Sequence, residues 1–182
     1  MNTKDIVYIA LFAALMAVLG VFPPITIPSL GVPITAQSMG VMLAGGILGA
    51  KRGALSMILF LVLVAAGLPL LAGGRGGMGV FSGASAGFIY GWIVAAYVVG
   101  MIVERSWGKL NMVTAAGACI LGGIVVVYAM GVPWLSVTAS IPFMKAFMGS
   151  MAYVPGDLVK VVVATGVILT VKRSYPLISA KA

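Results

Sequence analysis

Val154-Pro155-Gly156-Asp157-Leu158-Val159-Lys160 decides how this chain is read, because it sets an acid and a base three residues apart in a run that is otherwise apolar through Val171. Positions i and i+3 share a helix face. Pro155 suits a first helical turn, where its missing donor does no harm, and Asp157 just after it meets the positive end of the helix dipole. The continuation through Leu158, Val161, Val162, Val163, Ala164, Val167, Ile168 and Leu169 is apolar on every face, as a helix is when surrounded by lipid or packed protein. The pair therefore stands at the end of a membrane helix. It can be read as an Asp that neutralises the dipole beside a Lys that snorkels to the headgroups, or as a pair kept to hold a ligand.

Composition supports the membrane. The 182 residues are 62% hydrophobic and 8% charged, with three acids in all, and the mean hydropathy is +1.21. A soluble globule is typically about 45–50% apolar. At about 20 residues per crossing, the length suits six helices in a single transmembrane domain spanning residues 1–182, with no room for a catalytic or nucleotide-binding module. The net charge of +8 lies mostly at span ends, so it reports orientation in the lipid bilayer and gives no nucleic-acid signal. Cys119 is the single cysteine and there is no histidine. No disulfide framework, metal site, cofactor or catalytic residue is expected, and the chain does not read as an enzyme.

The expected spans run from Ile6 to Phe22, Gln37 to Ala50, Gly53 to Gly67, Ala84 to Val103, Met112 to Met130, and from Pro155 to Val171. The first is too long for the apolar core of an ordinary cleaved leader. Within it Ala10, Ala13, Ala14 and Ala17 form a small-residue stripe that lets another helix approach closely. Residues 23–36 hold four prolines and no charge, which predicts an irregular loop and a candidate wall of a site. Ala72 to Gly79 is expected as a flexible glycine-rich loop carrying Arg75 between helices 3 and 4. Gly131-Val132-Pro133-Trp134-Leu135 is expected to break the fifth span. A short interfacial helix with Lys145 follows within Ala139 to Tyr153, with Trp134 and Tyr153 at headgroup depth.

Charge then sets the orientation. With the N-terminus inside, Lys4, Lys51, Arg52, Arg105, Lys109, Lys172, Arg173 and Lys181, eight of the eleven basic residues, fall on the cytoplasmic side, and the C-terminus is inside as well. The remaining Arg75, Lys145 and Lys160, with Asp157, fall toward the outer face. Charges placed against the orientation rule cost up to about 2.5–3.5 kcal/mol each at the bilayer centre, which marks them as used. An excess of cation there suits an anionic ligand from outside.

Three motifs are set aside. Gly83-Ala84-Ser85-Ala86-Gly87 matches a nucleophile elbow, but without histidine no serine triad forms. Gly74-Arg75-Gly76-Gly77-Met78-Gly79 satisfies G-x-G-x-x-G but follows a membrane span instead of a strand. Asp157 has no acidic companion on its side of the membrane with which to form an aspartyl-protease pair.

Pro33-Ile34-Thr35-Ala36-Gln37, Gly67-Leu68-Pro69 leading to Ala72-Gly73-Gly74 and Gly76-Gly77, Gly131-Val132-Pro133-Trp134-Leu135, and Pro155-Gly156-Asp157-Leu158-Val159-Lys160, in that order and spacing, resemble the BioY family. These are the biotin-specific substrate-capture (S) components of energy-coupling-factor vitamin transporters. The resemblance implies a multi-pass protein of the bacterial cytoplasmic membrane that captures biotin at the outer face, with Asp157 and Lys160 in the pocket. It also implies a membrane coupling subunit and ABC-type ATPase subunits as partners, with Ala10 and Ala14 on the docking surface. Applied to biotin, the pair can serve the ureido N–H groups through Asp157 and the ureido carbonyl through Lys160. Arg75, flanked by the backbone amides of Gly74 and Gly76, is then the expected partner of the valerate carboxylate, with Lys145 as the fallback. Gln37 and Trp134, from the matching motifs, complete the expected substrate-binding set. Many relatives begin helix 4 with Gly-Pro-Thr-Gly-Gly-Tyr where this chain has Gly83-Ala84-Ser85-Ala86-Gly87-Phe88. The competing reading is a self-sufficient small-solute carrier or channel, which uptake without partners would reveal.

Overall fold

The computed structural model describes residues 2–26 and 33–178. Lys181 and residues 27–32 of the proline loop lie outside the described residues. Within them the chain forms seven helices: α1 (Thr3–Gly20), α2 (Gln37–Leu48), α3 (Ala50–Ala65), α4 (Ala86–Arg105), α5 (Met112–Thr138), α6 (Phe143–Met151) and α7 (Val154–Ser174). The helices α1, α4, α5 and α7 are long and apolar enough to cross a membrane, whereas α2 is a shorter apolar helix. The proline loop is not wholly irregular, since Ile25–Thr26 pairs antiparallel with Pro33–Ile34.

Local chemistry explains the ends. Asn2 caps α1 by accepting from the Asp5 amide at 3.0 Å, while the Asp5 carboxylate accepts from the Asn2 amide at 3.0 Å, a reciprocal capping box. Arg52 pairs with that same Asp5 at 3.3 Å and donates to the Leu177 carbonyl at 2.8 Å, tying the start of α1 to α3 and to the chain beyond α7. Between α2 and α3 a single residue turns the chain. Gly49 does so with φ 86, a left-handed conformation that favours glycine. The first amide of α3, on Ala50, donates to the Glu104 carboxylate at 3.0 Å, so an acid from the end of α4 satisfies an orphan donor of α3.

At the centre, α4 packs against α2, α3 and α5. Met16 of α1, Met42 and Leu48 of α2, Met57, Phe60 and Val64 of α3 and Val99 of α4 are fully buried in the core. The helix α5 departs from the expectation of a break at residues 131–135. It runs on to Thr138 with Pro133 inside it and contains a π-helical segment, Leu121–Val126. Proline removes one backbone hydrogen bond, but inside a bundle the neighbouring helix compensates. Here Gly131 lies flush on the Phe88 ring of α4, and the Trp134 indole N–H donates to the Gly83 carbonyl at 3.0 Å.

The glycine-rich segment is also more ordered than expected. Leu71 and Arg75 exchange backbone hydrogen bonds of 3.0 and 3.1 Å across a tight hairpin whose Gly73 and Gly74 have φ of 79 and 70. Gln37 anchors it. Its side chain is 1% exposed, donates to the Met16 carbonyl at 2.9 Å and the Leu70 carbonyl at 3.0 Å, and accepts from the Ala72 amide at 3.0 Å. Gln37→Leu would strand these three backbone groups in the interior, so thermal unfolding in detergent is expected to show a loss of about 1–3 kcal/mol.

Candidate functional site

Asp157 enters the interior because α7 begins just before it. Tyr153 precedes the helix, Pro155 occupies its first turn, and the Asp157 amide already donates to the Tyr153 carbonyl at 3.0 Å. The Asp157 residue is 5% exposed. A buried carboxylate needs partners for both oxygens. Lys160 Nζ donates to Oδ1 at 2.8 Å, and the Tyr128 hydroxyl of α5 donates to Oδ2 at 2.6 Å. Ser38, in the first turn of α2, accepts from Lys160 Nζ at 2.9 Å, with its own Oγ 3.4 Å from Oδ1. Three helices thus converge on one ion pair.

Around the pair opens a cleft lined by Ile34, Thr35, Phe88, Trp92, Tyr128 and Tyr153, with about 460 Å³ of empty space including its mouth. The Phe88 and Tyr128 rings meet edge to face, 6.0 Å apart at 83°. Burial pushes the Tyr153 phenol up to about 12, so at neutral pH it stays a neutral hydroxyl. The arrangement offers adjacent acceptor and donor atoms against flat apolar walls, which suits a small polar ring.

Arg75 stands in a second cleft with Gly74, Gly76, Val80, Gly83 and Ser85. Its Nε donates to the Ala72 carbonyl at 3.2 Å and its Nη1 to Ser85 Oγ at 3.2 Å. Burial lowers the guanidinium pKa from its ordinary value, and an arginine side chain keeps its charge in proteins. Ser85 is thus partnered by a cation, the reverse of the base that a nucleophilic serine needs. Ser85 and Phe88 are three residues apart at the start of α4, so the two clefts open on neighbouring turns of one helix.

The expected site residues are therefore divided. Asp157 and Lys160 are together; Arg75, Gly74 and Gly76 share the neighbouring cleft. Gln37 lines neither and holds the hairpin instead. Trp134 packs edge-on against Tyr90, 5.5 Å between centroids, and bonds Gly83. Lys145 is exposed on α6 and lines neither cleft. On α1 the alanine stripe splits, since Ala13 is buried and Ala17 half-buried while Ala10 and Ala14 are exposed. Ser38 and Tyr128 were not expected. Their signals were a serine directly after Gln37 and the single tyrosine in the apolar run from Met112 to Met130.

Apolar helices of membrane length, gathered around a charged pair in an aromatic cleft, define a membrane protein built to hold a small solute. The chain belongs to the BioY family, which it matches over residues 1–177. It is 49% identical to the biotin transporter BioY of Rhizobium etli over the full length of both chains. It is 47% identical to the biotin transporter BioY of Rhodobacter capsulatus, over 95% of each. Its structure matches a crystal structure of the S-component for biotin from an ECF-type ABC transporter, with a TM-score of 0.92 and 31% identity over 97% of both chains. On these grounds it is a multi-pass membrane protein and a transport protein, not an enzyme.

Tyr128→Phe removes the donor to Oδ2 of a buried carboxylate and is expected to lower stability by about 1.5–3 kcal/mol. Ser38→Ala should cost less, because Lys160 keeps its bond to Asp157. Thermal unfolding of the two detergent-solubilised variants checks the order.

Proposed function

We propose that this protein is a biotin-binding subunit that captures the vitamin at the outer face of the bacterial cytoplasmic membrane for uptake driven by partner subunits. The observation that carries the reading is the Asp157–Lys160 pair facing an aromatic cleft, in a chain similar over its whole length to biotin transporters. The whole chain acts as one substrate-binding unit. Six helices, α1–α5 and α7, cross the membrane with both termini inside, and the glycine-rich hairpin faces out.

Asp157 and Lys160 hold the ureido ring. The valerate carboxylate reaches Arg75, whose planar fork can take it through two parallel hydrogen bonds at the positive end of α4. Calorimetric titration of the solubilised protein with a panel of vitamins tests the assignment, with biotin expected as the preferred ligand. Asp157→Asn should weaken biotin by at least about tenfold, since a charge-assisted contact is worth about 1.5–3 kcal/mol. Biotin amide separates the two ends: it should bind wild type more weakly than biotin, lose little more in Arg75→Gln, and remain sensitive to Asp157→Asn. Equal sensitivity of acid and amide to Arg75→Gln would move the carboxylate elsewhere.

Energy comes from a membrane coupling subunit and ABC-type ATPase subunits. The exposed face of α1 supports this, because Ala10 and Ala14 stand there among Val7, Leu11 and Val18 with no covering from the described residues. Ala10→Trp or Ala14→Trp should leave biotin binding intact and abolish transport in vesicles holding the partner subunits. Loss of binding along with transport would assign the stripe to internal packing.

A further inference from the structure

Beyond the hairpin that carries it, Arg75 takes its bearing from Ser85, which accepts from Nη1. Ser85 in turn ends a segment, 78–85, whose opening turn Met78–Phe81 contains no buried residue. Two side chains of the bundle pin that segment by its backbone. The Tyr90 hydroxyl donates to the Phe81 carbonyl at 2.9 Å, and the Trp134 indole N–H donates to the Gly83 carbonyl at 3.0 Å, two residues before Ser85. The Tyr90 and Trp134 rings meet edge to face, 5.5 Å apart at 76°. Gly87 admits Trp134 at close range, since a side chain at that position would collide with the Trp134 Cβ. Trp134 itself lines neither cleft.

The helix behind the indole explains what the contact is for. α5 carries Tyr128, which donates to Asp157 Oδ2, and six residues further on, about 9 Å along the axis, it carries Trp134. One helix therefore reaches the ion pair at one point and the segment that orients Arg75 at another. Orientation matters there, because a planar guanidinium takes a carboxylate through two parallel bonds only in a narrow range of poses. We propose that Trp134, with Tyr90, is a positioning residue that acts through Gly83 and Ser85 to hold Arg75 at a fixed offset from the Asp157–Lys160 pair. It thereby sets the preference for a ligand whose tail ends in a carboxylate. The inference rests on Arg75 receiving that carboxylate, and it replaces the expectation that Trp134 touches the ligand.

The test titrates biotin and biotin amide calorimetrically against wild type, Trp134→Phe, Tyr90→Phe, Arg75→Gln and the double variant Trp134→Phe/Arg75→Gln. Trp134→Phe keeps a ring against Tyr90 and removes the donor to Gly83. It should weaken biotin about threefold to tenfold, the scale of one neutral hydrogen bond. Biotin amide should stay within about twofold of its wild-type affinity. Tyr90→Phe, which keeps its ring, should shift the preference for acid over amide in the same direction, and it carries the test if Trp134→Phe does not fold. In the Arg75→Gln background Trp134→Phe should no longer weaken biotin, because residues acting through one contact are not additive. Equal losses for acid and amide, no loss for biotin, or an undiminished loss in the double variant would overturn the inference; a tryptophan that only stabilises the bundle gives the first of these. Failure of the underlying reading looks different, because Arg75→Gln alone, with Trp134 intact, would then weaken acid and amide equally.

Discussion

The Asp157 carboxylate is the constraint around which the interior is arranged. An ion taken out of water is tolerated only when paired and hydrogen-bonded, and removing one partner of a buried pair commonly costs about 3–5 kcal/mol. Lys160 alone, three residues along the same helix, would hold one oxygen without committing any other element. The hydroxyls of Ser38 and Tyr128 change that, because they bring the first turn of α2 and the middle of α5 to the head of α7. The pair so held joins three helices and leaves an acceptor and a donor side by side at the cleft.

Next to Ser38 in the chain, Gln37 performs the complementary task. Where Ser38 reaches across to α7, Gln37 reaches back to Met16 of α1 and outward to Leu70 and Ala72 of the hairpin. The hairpin is the element that carries Arg75, and Arg75 in turn bonds Ser85 ahead of α4. Two consecutive residues of α2 therefore place both clefts relative to each other.

Much of this was legible in the chain itself. The i, i+3 spacing of Asp157 and Lys160, the proline ahead of them and the apolar continuation predict α7 and its charged entry, and the structure has both. Proline and glycine were misread where tertiary contacts decide. Pro133 continues α5 because α4 packs against it, and the glycine segment is a hairpin because Gln37 grips it. Ser38 and Tyr128 escaped notice for a related reason. A lone hydroxyl in an apolar or loop segment has no periodic signature, and its meaning comes from helices distant in sequence. Gln37 was recognised as important, but the backbone groups it satisfies could not be read from its neighbours.

The π-helical segment in α5 has a consequence for how one helix can serve two neighbours. An α-helix turns by about 100° per residue, so its faces keep a fixed phase along its length, and an inserted π turn shifts that phase. Before Leu121–Val126, α5 turns its buried Ala115, Ala118 and Cys119 toward a tight seam in which α7 is the main neighbour; beyond it, the helix packs chiefly on α4 and α6 and turns Tyr128 toward Asp157. The segment works as a change of gear. It lets the half of α5 that seals the bundle and the half that shapes the cleft each take the azimuth it needs, so that changes in one half need not rotate the other.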